Sequence, residues 1–233
     1  MRNGVPARKR TRRDKEYFFQ DWVRDRLRDT GLHFDEGGRN SYPDLKLVHK
    51  AQGYEVKGLA TPGRDRNYDC NSQVPTGRHN GRDVFYVFGR YPGDTDDLEV
   101  PITDLVIVHG DFLNANHEYV HKNGNVKGFG TYGDLMLRDR KMYVAPTPFA
   151  LVDGVVGRRT LIVPAGHVVP ENGYCAVGDL IRIETDRMLA GYEFDITDNT
   201  LTGKWVENPN KGKQHHFVAY RVGEDELAPV RLI

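Results

Sequence analysis

The feature that most narrows the fold is an imbalance of periodicities: one early stretch repeats like a helix, and the rest reads as short strands. Over residues 14–29, Phe18, Phe19, Trp22, Val23 and Leu27 recur at helical spacing with Arg and Asp opposite, and Gly31 supplies a stop. Short strands are expected next, at residues 32–35, 44–48 and 54–59. "DVFYVFGRY" (83–91) and "DLVIVHG" (104–110) are stronger, rich in Val, Ile, Phe and Tyr. After about Lys141, "KMYVAPTPFALVDG", "TLIVPAG", "DLIRIETD", "GYEFDITDN" and "HHFVAYRVG" are cut by Gly, Pro and Asn turns, so that half reads as all-β. Between the strands lies a polar loop, residues 61–82, and structureless loops of such length inside compact domains are usually functional.

A chain of 233 residues can bury one good core, with at most a small appended unit. No apolar run approaches the roughly 20 residues that span a bilayer. The basic start has no apolar segment behind it of the kind a secretory signal needs. Cys70 and Cys175 are too few for a disulfide scaffold or an all-cysteine zinc site. These features lead to the expectation of a cytoplasmic protein without a membrane partner. No internal repeat or low-complexity block is present.

The net charge is zero, so composition carries no nucleic-acid signal, but its distribution does. "MRNGVPARKRTRRDK" sets Arg2, Arg8, Lys9, Arg10, Arg12, Arg13 and Lys15 against Asp14 alone. Such an arm suits phosphates, through counterion release, and a solvated tail is its plain alternative. Within the helix, Glu16 shares the inward face with residues 19, 20, 23 and 27. It is either a first-turn acid favoured by the helix dipole or a site residue.

"SYPDLKLVHKAQGYEVKG" (residues 41–58) places Asp44, Glu55 and Lys57 on one hairpin. With the turn centred near Lys50 and Ala51, antiparallel pairing sets Asp44 opposite Val56 or Lys57. Glu55 and Lys57, two apart, share a face. Two carboxylates that close repel unless a cation or a proton intervenes. Oxygen ligands with retained waters suit Mg²⁺, and the Val56 carbonyl is a further ligand candidate. Lys57 beside such a site suits phosphodiester hydrolysis, orienting the attacking water and offsetting charge on phosphoryl oxygens. Glu16 is placed to hold a second metal or a metal-bound water. A surface hairpin with incidental charges is the alternative.

Three other motifs carry less. "HEYVH" (117–121) matches the H-E-x-x-H zinc-peptidase pattern, but Asn123 and Gly124 mark a hairpin turn, and on a strand the two imidazoles lie ~13 Å apart. "GFGTYG" (128–133) matches G-x-G-x-x-G, yet no crossover helix fits after it, so the glycines read as a turn. His215 and His216 are adjacent and point to opposite faces of a strand.

Pro43-Asp44, ten intervening residues, then Glu55-Val56-Lys57 resembles the PD-(D/E)XK nuclease superfamily, and within it the type II restriction endonucleases. The resemblance covers about residues 14–110. It implies an α/β fold with a central mixed sheet flanked by helices. Asp44 and Glu55 become metal ligands, Lys57 the catalytic lysine and Glu16 the helix acid. Many members place a helix straight after the lysine strand, where this chain has its polar loop. Arg64, Arg66, Asn71, Ser72, Gln73, Arg78, His79 and Arg82 in that loop suit phosphates or base edges, as do residues 138–143 and 208–216. The expectation is therefore a basic arm (1–13), a nuclease core (14–143) and a β-rich recognition or dimerisation region (144–233) packed as one unit. Its reaction would be Mg²⁺-dependent cleavage of double-stranded DNA by a homodimer, without organic cofactor, since two copies cut both strands of a palindromic site. Alternatives are a repair or recombination nuclease that reads DNA structure, a non-catalytic DNA-binding module and, more remotely, the zinc peptidase.

Overall fold

The structure, a computed structural model, describes residues 4–12, 14, 17–38, 41–64, 66–71, 73–115, 130–138, 141–144, 146–170, 173–222 and 231–232. Strand β1 (Ala7–Arg8) precedes helix α1 (Tyr17–Asp29). Strands β2 (Phe34–Glu36), β3 (Leu45–Leu47), β4 (Gln52–Thr61), β5 (Tyr68–Asn71) and β6 (Arg78–His79) follow. Next come β7 (Arg82–Pro92), β8 (Glu99–Val100), β9 (Asp104–His109), a 3-10 turn at Gly110–Phe112, β10 (Leu135–Arg138) and β11 (Lys141–Val144). A short helix α2 (Pro148–Leu151) leads to β12 (Val152–Asp153), β13 (Arg159–Pro164), β14 (Tyr174–Ile183) and β15 (Arg187–Asp195). The last strands are β16 (Thr200–Glu207), β17 (Gln214–Val222) and β18 (Arg231–Leu232).

Nine of these strands form one mixed sheet in the order β14-β17-β13-β9-β7-β4-β3-β2, with β6 paired to β7. β2, β3 and β4 run antiparallel, β4 and β7 parallel, β7 and β9 antiparallel, and β9 and β13 parallel. The sheet continues across residue 144, so strands of both halves hydrogen-bond in one layer. The protein is mixed α/β, rich in strands and poor in helices. Among the described residues no helix is long and apolar enough to cross a membrane.

Helix α1 forms because its apolar positions fall on one stripe, and the Asp14 carboxylate accepts from the Tyr17 N–H at 3.0 Å as a cap. Gly31 then turns the chain with φ +74°. The stripe of Phe18, Phe19, Trp22, Val23 and Leu27 packs on Tyr54 and Val56 of β4, Val87 and Tyr91 of β7, and Leu105 of β9. Gly58 and Gly89 face each other across β4 and β7, and a Cβ at Gly89 would overlap the Phe19 ring. Glycine there lets the helix seat on the sheet.

Helices were expected to flank the sheet, but strands cover the face away from α1. There Tyr86 and Phe88 of β7 and Val106 and Val108 of β9 pack with Tyr68 and Cys70 of β5, Leu135 of β10 and Met142 and Val144 of β11. The loop 61–82 is accordingly not structureless: β5 pairs with β11, and Tyr68, Cys70, Val74, Pro75, Thr76 and Gly77 are buried. Its alternating apolar pair, Tyr68 and Cys70, lines the core, while Asp69 between them is half-buried and meets Lys141 at the surface. After the glycines at 130 and 133, both at positive φ, comes strand β10 and no helix, which fits the turn reading of that glycine run. Residues 117–121 lie outside the described residues.

Candidate metal and catalytic site

β3 pairs with β4 as Leu45 opposite Tyr54 and Lys46 opposite Gly53. Extending that register by one sets Asp44 opposite Glu55, which corrects the expected pairing with Val56 or Lys57. The turn runs from Val48 to Ala51, and Arg82 fixes it by donating from Nη1 to the carbonyls of Leu47 (2.8 Å) and Lys50 (3.0 Å). Since a one-residue slip moves a side chain to the other face, this register is what brings the two carboxylates together.

The hydrogen bonds show how closely. The Asp44 N–H donates to Glu55 Oε2 at 3.3 Å, and Asp44 Oδ2 accepts from the Val56 N–H at 2.8 Å. Lys57 Nζ meets Glu55 Oε1 at 2.9 Å. The side chains of Lys57 and Glu55 are only 18% and 13% exposed, so the site is recessed. Asp44 Oδ1 has no hydrogen-bond donor among the described residues. Because the N–H and C=O of one strand residue point to the same side, the Val56 carbonyl also faces the Asp44 edge.

Burial first, and the neighbouring Glu55 second, push the Asp44 carboxyl up to about 7; the Val56 N–H and Lys57 oppose the rise. Burial works against the Lys57 ammonium, but Glu55 and then Asp44 more than offset it and raise its pKa. Near neutral pH the hairpin therefore sits between holding and releasing a proton at Asp44, a demand that a cation would also meet. Mg²⁺ is commonly held by one or two carboxylates and keeps several waters. Asp44, Glu55 and the Val56 carbonyl fit that donor set. Among the described residues no cluster of three or more His, Cys, Asp or Glu is placed to hold a metal.

Glu55 and Lys57 lie opposite Tyr86 and Phe88 in the parallel pairing with β7, on the face away from α1. Around them stand groups that the motif did not announce. Tyr42 and Tyr86 share a hydroxyl–hydroxyl bond of 2.9 Å, and Tyr68 and Cys70 close the wall. Burial raises the pKa of all three phenols and pushes the Cys70 thiol up to about 12, with Lys57 opposing at the thiol. The Tyr68–Cys70 alternation was a legible signal for this wall, whereas its meeting with β4 was not. Glu16 lies outside the described residues.

The other expected contacts scatter. Lys9 is 8% exposed and its Nζ donates to the Thr95 carbonyl at 2.6 Å. Arg10 forks Asp21 at 2.7 and 2.8 Å. Arg8 and Arg12 are exposed and border a surface depression of about 500 Å³ with Asp96, Asp97, Leu98 and Glu99. Arg64, Arg66 and Arg78 are exposed. Gln73 donates to the Val74 carbonyl, and His79 is buried edge-on to the Tyr42 ring. Asn71 ends β5, and Arg13 and Ser72 lie outside the described residues. In the region 138–143, the Arg138 guanidinium lies over the Tyr143 ring at 4.7 Å. In the region 208–216, Asn208 and His215 are turned inward on Glu184.

The fold and site thus define a strand-rich α/β protein with a recessed Asp–Glu–Lys hairpin. No family model, curated protein or solved structure matches the chain.

Proposed function

We propose that this protein is a Mg²⁺-dependent endonuclease that hydrolyses phosphodiester bonds in double-stranded DNA. Its finer assignment is a type II restriction enzyme with a restriction-endonuclease-like core, acting as a homodimer. The observation that carries the reading is the recessed chain of contacts from Asp44 through Glu55 to Lys57. α1 followed by the β2–β3–β4 meander and parallel β7 supports the core assignment. Bound at Asp44 and Glu55, Mg²⁺ would supply a Lewis acid for the phosphate and lower the pKa of a water. Glu55 fixes the Lys57 ammonium, which orients a water and offsets charge growing on phosphoryl oxygens. Asp44, whose carboxyl is pushed up to about 7 by burial and Glu55, would release its proton on binding the metal.

Incubating the protein with plasmid DNA and Mg²⁺ tests this on a gel. Discrete fragments are expected; a smear would favour a nuclease that reads DNA structure. Intact plasmid despite binding would leave a non-catalytic DNA module, with Asp44 serving only to bond the Val56 N–H beyond the end of β3.

A further inference from the structure

Strands β15 and β16 form a two-stranded ribbon that pairs with no other strand among the described residues. An isolated ribbon is marginally stable at best, so a second surface has to support it. The root has one: Leu189 is fully buried in the core, and a Cβ at Gly203 would crowd Leu189 and Leu137 of β10. Residues opposite each other in a ladder share a face. Leu189 opposite Trp205, Tyr192 opposite Gly203 and Phe194 opposite Leu201 therefore make one apolar face. Much of it meets water: Tyr192 is 40% exposed, Trp205 43% and Ile196, at the tip, 84%. The other face is polar, with Glu193 beside Thr202 and Asp195 beside Thr200. Over residues 187–207 the acids Glu193, Asp195, Asp198 and Glu207 outnumber Arg187 and Lys204, so the ribbon repels phosphate.

A patch of complementary character lies at the edge strand β14. Leu180 points into the same core as Leu189, so its neighbours Ile181 and Ile183 point to the α1 side, where both are exposed. Val168, also exposed, follows in the turn after β13, whose Ala165 N–H donates to the carbonyl of His216, opposite Ile181. Exposed Lys213 abuts this end of β14, its carbonyl accepting from the Glu184 N–H, and makes the rim basic. Asp179, the one acid of β14, sits at the far end of the patch. The ribbon root and the patch thus belong to opposite faces of one sheet, which suits exchange between two chains.

We propose that the ribbon is a dimerisation arm, whose apolar face lies on the Ile181–Ile183 patch of a second copy of this chain. The inference deepens the homodimer reading above and rests on it for the two-fold axis. That axis makes two equivalent contacts, the arm of each chain on the patch of the other. The acidic ribbon then meets the basic rim at Lys213. At roughly 200 Å² for a large side chain, Tyr192, Trp205 and Ile196 leave about 330 Å² exposed on each arm. Two arms, each covered by an equal area of the partner, bury about 1,300 Å², within the range of specific interfaces. Ribbon against ribbon would bury about half of that, too little for a stable pair.

Ile196→Lys and Ile183→Asp change exposed side chains, so both variants should keep the wild-type circular dichroism spectrum. In sedimentation the wild type is expected to run as a dimer. Each variant alone sets like charge against like charge, and its dimer dissociation constant should rise by about 100-fold or more. Mixed one to one, the two variants should return to the dimer. One contact then pairs an intact arm with an intact patch, and the other pairs the added lysine with the added aspartate. A monomeric wild type overturns the inference and leaves the ribbon to a different protein. A dimer that neither variant weakens overturns it by putting the two-fold on another surface. Variants that stay monomeric when mixed overturn the pairing of arm with patch. Sedimentation needs neither DNA nor Mg²⁺, so a dimer that cuts nothing sinks the nuclease reading alone, and a monomer that cuts sinks this one alone.

Discussion

The polar cluster around Glu184 and the hairpin at Asp44 both take charged side chains out of water, but they close their hydrogen bonds differently. Glu184 Oε1 meets His215 Nε2 at 2.7 Å and Oε2 accepts from Asn208 Nδ2 at 3.0 Å. Beside it Arg182 is held by Asp134 and lies over the rings of Tyr132 and Phe112, 4.4 and 5.3 Å from their centroids. At the hairpin, the Tyr68 hydroxyl in the wall is unmet among the described residues, and the Asp44 carboxyl is driven up to about 7. In a low-dielectric interior a fully met network is rigid and a partly met one is costly. The first cluster is built to hold β14 and β17 together. The second keeps bonding capacity in reserve, which is what a binding site requires.

The largest expected effect breaks the comparison at both ends. Asp44→Ala or Glu55→Ala should abolish cleavage while metal-free DNA binding survives; wild-type cutting by either variant sinks the site assignment. Glu184→Ala should do the reverse, leaving Mg²⁺ affinity intact and lowering stability by roughly 1–3 kcal/mol for each of the two partners it strands. Urea unfolding reads that loss. A Glu184 variant that unfolds like wild type would show that the closed cluster is not structural.

Lys57→Ala comes next. Losing a group that stabilises transition-state charge costs about 2.7–4 kcal/mol, or ~10²–10³ in rate, while metal and DNA binding should persist. Lys57→Arg should rescue little, since the planar guanidinium is not a compact ammonium. Full rescue by Arg in a single-turnover assay would reduce the role to plain charge.

Much of this was legible early. The stripe of α1, the β4 and β7 strands and the shared face of Glu55 and Lys57 follow from periods of 3.6 and 2, which act locally. The Asp44–Glu55 register was missed by one or two residues because Arg82, far along the chain, fixes the turn through the carbonyls of Leu47 and Lys50. The strand at Tyr68–Asn71 was missed because its partner β11 follows some seventy residues later, and the one Tyr68–Cys70 alternation in a polar stretch is too short a signal to define a strand by itself. The second face of the sheet, covered by strands, was illegible for the same reason. What local pattern cannot show is which distant segment completes a wall.

A smaller effect should follow pH. In the metal-free fold Asp44 holds its proton up to about 7, against an ordinary value of 3.8. The folded state thus binds more protons than the unfolded chain across that interval. The linked stability is fully present below the ordinary value and is lost as pH rises through about 7. Mg²⁺ competes with the same proton, so its affinity should climb towards pH 7 and level off above it. Melting curves with and without Mg²⁺ should separate further between about pH 6 and 8 in the wild type and stay together in Asp44→Asn. A separation equal at every pH, or kept by the Asn variant, would place the metal elsewhere.

The smallest expected effect carries the contrast between closed and open charges to the N-terminal arm. Deleting the arm is not a clean test. Ala7 is fully buried, β1 pairs with β8, and Trp22 Nε1 donates to the Val5 carbonyl at 2.8 Å, so deletion would damage the fold. Single charges separate the roles. Lys9 and Arg10 are engaged by Thr95 and Asp21, whereas Arg8 and Arg12 are exposed beside Asp96, Asp97 and Glu99. Each lost phosphate contact flattens the slope of log K against log salt by about 0.9. Arg8→Gln and Arg12→Gln should therefore each flatten it, and Lys9→Gln and Arg10→Gln should not. The adjacent acids repel phosphate, so the effect on affinity at any one salt should be modest. The preferred sequence should not change, because phosphate contacts position the protein and base contacts specify. Affinities for cognate and scrambled duplexes over a salt series decide it. A slope that none of the four substitutions changes means that the arm serves the fold alone, its exposed arginines balancing the acidic loop after β7 and no nucleic acid.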